Sequence, residues 1–174
     1  MIEKTIKQNQ IFDGKLFKLY KDEIILPNGN KATREFIEHK GASCILAVTP
    51  KNEILFVRQY RYPFKQIMLE LPAGKLDGNT PLECAKRELL EETGAIGENF
   101  ISLGKMYPTV AYSTEVIYLF SCEVTKFDNP NPDEDEFIEI VSIPINKAFD
   151  MVLQNEIPDA KTQIAILKFY SVKR

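Results

Sequence analysis

Apolar and polar residues alternate along most of the first forty residues, with the period of two that indicates half-buried antiparallel strands. The alternation is interrupted at residues 27–30, Pro-Asn-Gly-Asn, a composition typical of a tight turn. We therefore expect an N-terminal antiparallel sheet with strands near 4–11, 16–26 and 31–38. The chain's own apolar residues would cover only part of its faces, which suggests a partner.

Beyond this sheet, the chain contains a series of short apolar runs of strand length. They predict strands at 45–48, 54–57, 68–71, 101–106, 116–124 and 137–143. The polar and acidic stretch 125–136 contains prolines and is predicted to be a loop. No convincing domain linker separates these elements from the predicted helices, so we expect one α/β core whose mixed sheet is covered by helices on both faces.

The last thirty residues are predicted to form two helices, at 145–154 and 159–172. Asp159 is placed to cap the second helix. Three large apolar residues repeat on one side of that helix: Ile164, Leu167 and Tyr170.

A third helix, at residues 81–93, has the clearest boundaries in the chain. Thr80 can cap its start, and Pro81 suits the first turn, where a missing N–H costs nothing. Gly94 is a natural end because glycine accepts the left-handed conformation that follows a helix. The side predicted to be buried carries Leu82, Ala85 and Leu89.

Three glutamates, Glu88, Glu91 and Glu92, converge on the other side of this helix. Like charges at that spacing destabilise a helix by roughly 0.2–0.5 kcal/mol per pair, and Arg87 can relieve only part of the repulsion. A solvated acidic face would explain the helix taken alone. Joined to the preceding loop, the cluster is better explained by a divalent cation, because Mg²⁺ prefers carboxylates and substrate phosphates.

Composition excludes several other classes of protein. The chain has 174 residues and a net charge of −3, which gives no basic surface for nucleic acid or an acidic membrane. It contains no long apolar run, and residues 1–7 lack the apolar core of a signal peptide, so we expect a cytoplasmic protein. Cys44, Cys84 and Cys122 form no Cys-x-x-Cys pair and are expected to be free thiols. The single histidine, His39, excludes a metal site built from several histidines.

The loop and helix together resemble the signature of the Nudix hydrolases. The helical half, Arg-Glu-Leu-Leu-Glu-Glu-Thr-Gly-Ala at residues 87–95, matches that signature at every fixed position. The loop half departs from it, because twelve residues separate Gly74 from Arg87 where the family has thirteen. The glutamate position of the loop is then held by Asn79 or Thr80, depending on the direction of counting.

The resemblance implies a Nudix-type α/β/α sandwich, here preceded by the N-terminal sheet. It also implies hydrolysis of a nucleoside diphosphate linked to another group, with Mg²⁺ as cofactor and Mn²⁺ as a substitute. The expected metal ligands are Glu88, Glu91 and Glu92, with the backbone carbonyl of Ala73. A carbonyl ligand there would require a tight turn at Gly74, which adopts either sign of φ cheaply.

Three further segments resemble the ADP-ribose pyrophosphatase branch of the family. They are residues 56–61 with 70–75, residues 107–115, and the acidic run 133–138. This similarity implies cleavage of ADP-ribose to AMP and ribose 5-phosphate. It also implies a division into residues 1–40, for dimerisation and substrate contacts, and a Nudix core at 41–174.

In the acidic run, the resemblance assigns Glu134 as the general base and Glu136 as a further metal ligand. Glu139 is the rival for the base. Asp133 and Asp135 are expected to be solvated charges. An acidic loop of this kind can complete the site after the substrate has bound.

Four residues are expected to contact the substrate: Arg34, Arg61, Phe17 and Glu115. Guanidinium groups grip phosphate through two parallel hydrogen bonds, which suits the two arginines. For Phe17, core or interface packing competes with stacking on the base. The branch forms a homodimer through its N-terminal region, so we expect Arg34 or Phe17 to reach the substrate of a partner subunit.

Two other functions fit the same residues. One is the same reaction on a different nucleoside diphosphate sugar, such as a GDP- or UDP-sugar. The other is a catalytically silent module that senses ADP-ribose. The complete set Glu88, Glu91 and Glu92 argues against silence, because a sensor has no need of metal-activated water.

Overall fold

Strands and helices fill most of residues 1–132 and 136–172, the part of the chain that the computed structural model describes. These residues belong to two compact units. The N-terminal unit comprises Met1–Gly41 and Tyr107–Val116, and the core unit comprises Ala42–Met106 and the residues from Ile117 onward. The functional division at residue 40 stays a prediction.

The N-terminal unit contains a four-stranded antiparallel sheet centred on β3. Its strands are β1 (Lys4–Lys7), β2 (Gln10–Asp13), β3 (Lys18–Ile25) and β4 (Lys31–Glu38). β4 pairs with one edge of β3 along its whole length, and β1 and β2 pair in succession with the other edge. The antiparallel N-terminal sheet predicted from the alternation is therefore confirmed.

The single strand expected at 4–11 is divided at Asn9. The carboxylate of Asp22 is 5% exposed and accepts the backbone N–H of Asn9 at 3.1 Å. The Asn9 amide in turn donates to the carbonyl of Lys21 at 3.1 Å. A buried carboxylate needs hydrogen-bond donors, so Asp22 draws Asn9 out of the regular ladder.

The core unit contains a seven-stranded mixed sheet and three helices. Its elements are β5 (Ala42–Val48), β6 (Glu53–Arg61), β7 (Gln66–Glu70), β8 (Ala73–Lys75), α1 (Pro81–Thr93), β9 (Ala95–Met106), β10 (Ile117–Phe127), β11 (Ile138–Pro144), α2 (Ile145–Leu153) and α3 (Ala160–Val172). The strand order is β11-β6-β5-β10-β9. β5 and β10 are parallel, and the other pairs are antiparallel.

The two central strands β5 and β6 separate along their length. They pair only at Val48 and Ile54. Beyond that point β6 pairs with β7 instead, and β5 pairs with β8. Residues 71–72 therefore cross from one strand to the other. The sequence analysis missed β8, because three residues, one of them glycine, give no strand pattern.

Helices cover both faces of this sheet. Every residue of β5 is buried, with Leu46 packing among residues of α2 and α3, and Ile45 packing with Ala85 and Leu89 of α1. The predicted α/β/α sandwich is therefore confirmed. None of the helices in residues 1–132 and 136–172 is long and apolar enough to span a membrane.

The buried side of α3 differs from the stripe read from the sequence. Its buried residues are Thr162, Ala165, Ile166 and Phe169, whereas Leu167 is 40% exposed. The shift arises because the buried hydroxyl of Thr162 accepts the backbone N–H of Leu71 at 2.9 Å. Threonine is scored as polar when a buried face is sought in the sequence. Thr162 nevertheless lies on the buried face, because its hydroxyl is hydrogen-bonded inside the core.

Candidate active site

Helix α1 begins and ends where the sequence predicts. Thr80 and Glu83 form a reciprocal capping box, and Pro81 occupies the first turn. Gly94 ends the helix with φ of 69° and donates its N–H to the carbonyl of Leu90 at 2.8 Å. The helix is thus fixed at both ends by residues local in the sequence.

Glu88 and Glu92 are buried rather than exposed. Their exposed fractions are 7% and 4%, because they flank the apolar side on which Ala85 and Leu89 pack. Glu92 lies seven residues after Ala85, which is two helical turns, so it turns toward the sheet. The expectation that both carboxylates lie on the side opposite the buried one was wrong.

Gly74 lies directly against Glu88. A Cβ at this position would overlap the Glu88 carboxylate, so no residue with a side chain fits while Glu88 stays in place. Gly74 is part of β8, and its φ is not positive. The expected tight turn at Gly74 is therefore wrong, and glycine is needed there for close approach.

Ala73, the residue before Gly74, contacts the other buried glutamate. Its N–H donates to Glu92 Oε2 at 3.1 Å. Strand β8 thus contacts both buried glutamates, Glu92 through Ala73 and Glu88 through Gly74. The structure brings Ala73, Glu88 and Glu92 together, as the predicted metal site requires. Their assignment as ligands stays a prediction.

The two buried carboxylates hold their protons more tightly than ordinary glutamates. Burial, and then the neighbouring charges of Glu91 and Glu136, raise the pKa of Glu88 to about 7, against the opposing effect of Arg87. Burial, Glu88 and Glu136 raise the pKa of Glu92 to about 8. Both carboxylates therefore lack sufficient positive charge nearby, which is the condition that a bound cation would relieve.

Arg87 is the cation that lies closest to this cluster in the structure. It contacts Glu88 Oε1 and Glu91 Oε2, both at 2.6 Å, and donates to the carbonyl of Lys75 at 3.1 Å. Among the described residues, no group of three or more His, Cys, Asp or Glu side chains is arranged to hold a metal ion. Arg87 engages Glu88 and Glu91 alike, but the Glu91 side chain is 36% exposed whereas Glu88 and Glu92 are buried. Burial therefore makes Glu88 and Glu92 the better candidates for a metal.

Arg61 is fixed by a buried carboxylate on the neighbouring strand. Its Nε and Nη2 donate to Glu70 at 2.6 and 2.8 Å, and Lys161 also contacts Glu70. Burial opposes ionisation, but Arg61 and Lys161 outweigh it and lower the pKa of Glu70 to about 2. Arg61 is 39% exposed, so its outer edge remains able to bind a phosphate.

The acidic run is described only in part. Asp133, Glu134 and Asp135, including the predicted base, lie outside the described residues. Glu136 is described, and its charge raises the pKa of both Glu88 and Glu92. The stretch leading to the run is tied to the end of α1, because Asp128 and Asn131 donate their N–H groups to the carbonyls of Gly94 and Glu91.

The rival base, Glu139, lies on β11 opposite Arg58. Its side chain is 66% exposed and contacts Arg58 at 3.4 Å. Glu139 is therefore an exposed carboxylate that already has an arginine partner on the neighbouring strand.

Three predicted substrate residues belong to the N-terminal unit. Arg34 is paired with Glu3, and its Nε donates to that carboxylate at 3.0 Å. Phe17 packs against Phe12 with 6.0 Å between ring centres. Glu115 lies 3.6 Å from Nδ1 of His39. Their roles stay predictions.

The sequence analysis missed the residues that support this site from α3. Lys161 contacts Glu70 and lies 3.1 Å from Asp159, which accepts the Thr162 hydroxyl at 2.6 Å. The contacts of Lys161 with Glu70 and of Thr162 with Leu71 each join residues 91 positions apart, and no local pattern marks them. Asp159 gave a signal only as a helix cap.

Comparison with known proteins gives consistent results. The family model of the NUDIX domain matches residues 38–165. The chain is 38% identical to an ADP-ribose pyrophosphatase of Bacillus subtilis, over 94% of this chain and 90% of the relative. It is 39% identical, with the same shares covered, to a methanol dehydrogenase activator of Bacillus methanolicus.

Two further matches have lower sequence identity to this chain. A GDP-mannose pyrophosphatase of Yersinia enterocolitica is 31% identical, over 95% of this chain and 93% of the relative. The solved structure of an ADP compounds hydrolase has a TM-score of 0.86 at 18% identity, and the match covers 99% of this chain and 94% of that one. At that identity the structural match supports the fold alone.

Proposed function

We propose, since the chain belongs to the Nudix family, that it hydrolyses the pyrophosphate bond of ADP-ribose to give AMP and ribose 5-phosphate. The proposal rests on one observation: two neighbouring glutamates, Glu88 and Glu92, are buried, and their pKa values are raised even though Arg87 contacts Glu88. A substrate with a pyrophosphate, delivered with a divalent cation, supplies what these groups lack.

The proposed cofactor is Mg²⁺, with Mn²⁺ as a substitute. Glu88, Glu92 and the carbonyl of Ala73 would hold it, with Glu136 as a further ligand and Glu91 as a weaker one because its side chain is 36% exposed. When bound, the cation offsets charge on the pyrophosphate oxygens and lowers the pKa of the attacking water. Gly74 leaves the space in which the Glu88 carboxylate lies.

Glu134 is the proposed general base, and its part is to take a proton from the attacking water. Two observations favour this region of the chain over Glu139. The stretch before the acidic run is bonded to the end of α1, and Glu136 is close enough to raise the pKa of Glu92. Glu139, in contrast, is exposed and paired with Arg58.

Arg61 is the proposed phosphate-binding residue of the core unit. Glu70 occupies the edge of its guanidinium formed by Nε and Nη2. A phosphate can bind the other edge, formed by Nη1 and Nη2, while the arginine stays fixed. A fixed donor loses little side-chain entropy when the substrate binds.

Arg34, Phe17 and Glu115 are the proposed substrate contacts of the N-terminal unit, and we propose that the protein acts as a homodimer. At least half of each of four apolar side chains in this unit is exposed: Ile6, Ile11, Phe12 and Leu16. A second copy of the chain is the proposed cover for them. We also propose the reducing cytoplasm as the location, because the three cysteines are free and buried.

The test is to incubate the purified protein with Mg²⁺ and a set of nucleoside diphosphate sugars, and to identify the products by anion-exchange chromatography. AMP from ADP-ribose, released faster than any product from GDP-mannose or a UDP-sugar, is expected. Faster cleavage of GDP-mannose would favour the alternative that the Yersinia relatives represent. ADP-ribose binding without cleavage of any member of the set would identify a silent sensing module.

A further inference from the structure

The chain between β7 and β8 is held at each of four successive residues by a different partner. The Glu70 carboxylate contacts Arg61 and Lys161. The other three contacts are Leu71 N–H to Thr162 Oγ1 at 2.9 Å, Ile45 N–H to the Pro72 carbonyl at 2.9 Å, and Ala73 N–H to Glu92 Oε2 at 3.1 Å. The backbone around Ala73 is therefore set by side chains as much as by strand pairing.

Thr162 makes the longest-range of these backbone contacts. Its side chain is fully buried at the first turn of α3, and its hydroxyl donates to Asp159 Oδ2 at 2.6 Å. Asp159 also accepts the Thr162 N–H at 3.0 Å and lies 3.1 Å from Lys161. Because the Thr162 hydroxyl donates its hydrogen bond to Asp159, an oxygen lone pair is left to accept the N–H of Leu71.

We propose that Thr162 is a positioning residue for the metal site, and that its hydroxyl fixes Leu71 so that the Ala73 carbonyl stands at ligand distance from a cation. This inference rests on the metal site proposed above. Residues 71–72 lie between two strands and are outside both, so neighbouring strands constrain them less than a ladder would. Removal of the Thr162 hydroxyl leaves a buried N–H free to seek another partner, and the backbone moves with it.

The variant that tests this is Thr162→Val, which keeps the shape and loses the hydroxyl. Thr162→Ser keeps the hydroxyl and serves as the conservative rescue. Thr49→Val is the matched control for stability, because the Thr49 hydroxyl is also buried and accepts two backbone N–H groups, those of Lys51 and Glu53. Thr49 follows β5 at the end where β5 pairs with β6, whereas Ala73 pairs with Cys44 near the other end.

Mn²⁺ affinity is measured by titration calorimetry at a temperature where circular dichroism shows each variant folded. We expect Thr162→Val to bind Mn²⁺ about tenfold more weakly than the wild type, a loss typical of groups that orient metal ligands. Thr162→Ser and Thr49→Val should stay within about twofold. Amide exchange at Leu71, followed by NMR, should be faster in Thr162→Val alone.

A second variant keeps the inference testable if Thr162→Val does not fold. Asp159→Asn retains the Thr162 hydroxyl and weakens its orientation, so a loss of Mn²⁺ affinity smaller than that of Thr162→Val is expected. Unchanged affinity in the folded Thr162 variant, or an equal loss in Thr49→Val, would overturn the inference alone. Failure of the wild-type protein to bind Mn²⁺ would overturn the proposed metal site and this inference with it.

Discussion

Replacing Glu92 by glutamine should make the metal-free protein more stable at alkaline pH. Glu92 is 4% exposed, and burial with the nearby charges of Glu88 and Glu136 raises its pKa from 4.5 to about 8. Below pH 4.5 the carboxyl is neutral in both the folded and unfolded states, so it costs nothing. Between pH 4.5 and 8 the unfolded state releases the proton first, and the folded state loses relative stability.

The size of this effect follows from the pKa difference. Each unit of difference between the pKa values of the folded and unfolded states corresponds to 1.36 kcal/mol. Above pH 8, ionised Glu92 therefore lowers the free energy of unfolding by about 5 kcal/mol at most. The amide of Glu92→Gln carries no charge and can still accept the Ala73 N–H. We therefore expect the variant to gain about 3–5 kcal/mol over the wild type at pH 9, and to differ little at pH 5.

The assay is urea unfolding in EDTA at a series of pH values, with Glu83→Gln as the matched control on the same helix. Glu83 is exposed and its pKa is lowered by hydrogen bonds from Thr80. Glutamine also forms a capping box, so this control should show no gain at pH 9. Adding Mg²⁺ should stabilise the wild type more than Glu92→Gln. A Glu92→Gln variant that is no more stable than the wild type at pH 9 in EDTA would refute the reasoning.

Four further outcomes are expected. Activity should disappear in EDTA and return with Mg²⁺ or Mn²⁺; turnover in metal-free buffer would contradict the proposed metal site. Glu134→Gln should lower kcat by roughly 10²–10⁴ with little change in KM, and Glu136→Gln should weaken metal affinity instead. A dead Glu139→Gln beside an active Glu134→Gln would move the base to β11. Glu70→Gln should lose about 3 kcal/mol above pH 4.5 in urea unfolding, and the difference should vanish as pH falls through about 2. Sedimentation should show a dimer at micromolar concentration, and a fully active monomer would contradict the proposed assembly.

Helix α1 could be predicted residue by residue because its signals are local. Thr80, Pro81 and Gly94 are each recognisable within one turn of the position that they fix. The strands of the core were predicted where apolar runs are long, but their ends were placed too early or too late. β9, for example, runs from Ala95 rather than from Ile101, because exposed polar residues in its first half hide the strand.

The residues that support the candidate site from outside α1 could not be predicted, because their contacts are long-range. Thr162 and Leu71 are 91 positions apart, and the burial of Glu88 depends on how closely Gly74 approaches it. Neither contact produces a periodic pattern or a fixed spacing of residues in the sequence. The resemblance predicted Glu88 and Glu92 as metal ligands, but only the packed structure shows their burial and the raised pKa values that follow from it.

The separation of β5 and β6 determines which backbone groups near Ala73 are free to bond side chains. In a regular ladder inside a sheet, the N–H groups of Leu71 and Ala73 would be bonded to a neighbouring strand. Here the segment crosses between two strands, so the N–H of Leu71 is available to Thr162 and that of Ala73 to Glu92. One crossing thereby connects α3 to α1 through the backbone. Continuous β5–β6 pairing that engaged the Ala73 N–H would take a hydrogen-bond donor from the buried Glu92 carboxylate, which would destabilise the folded protein.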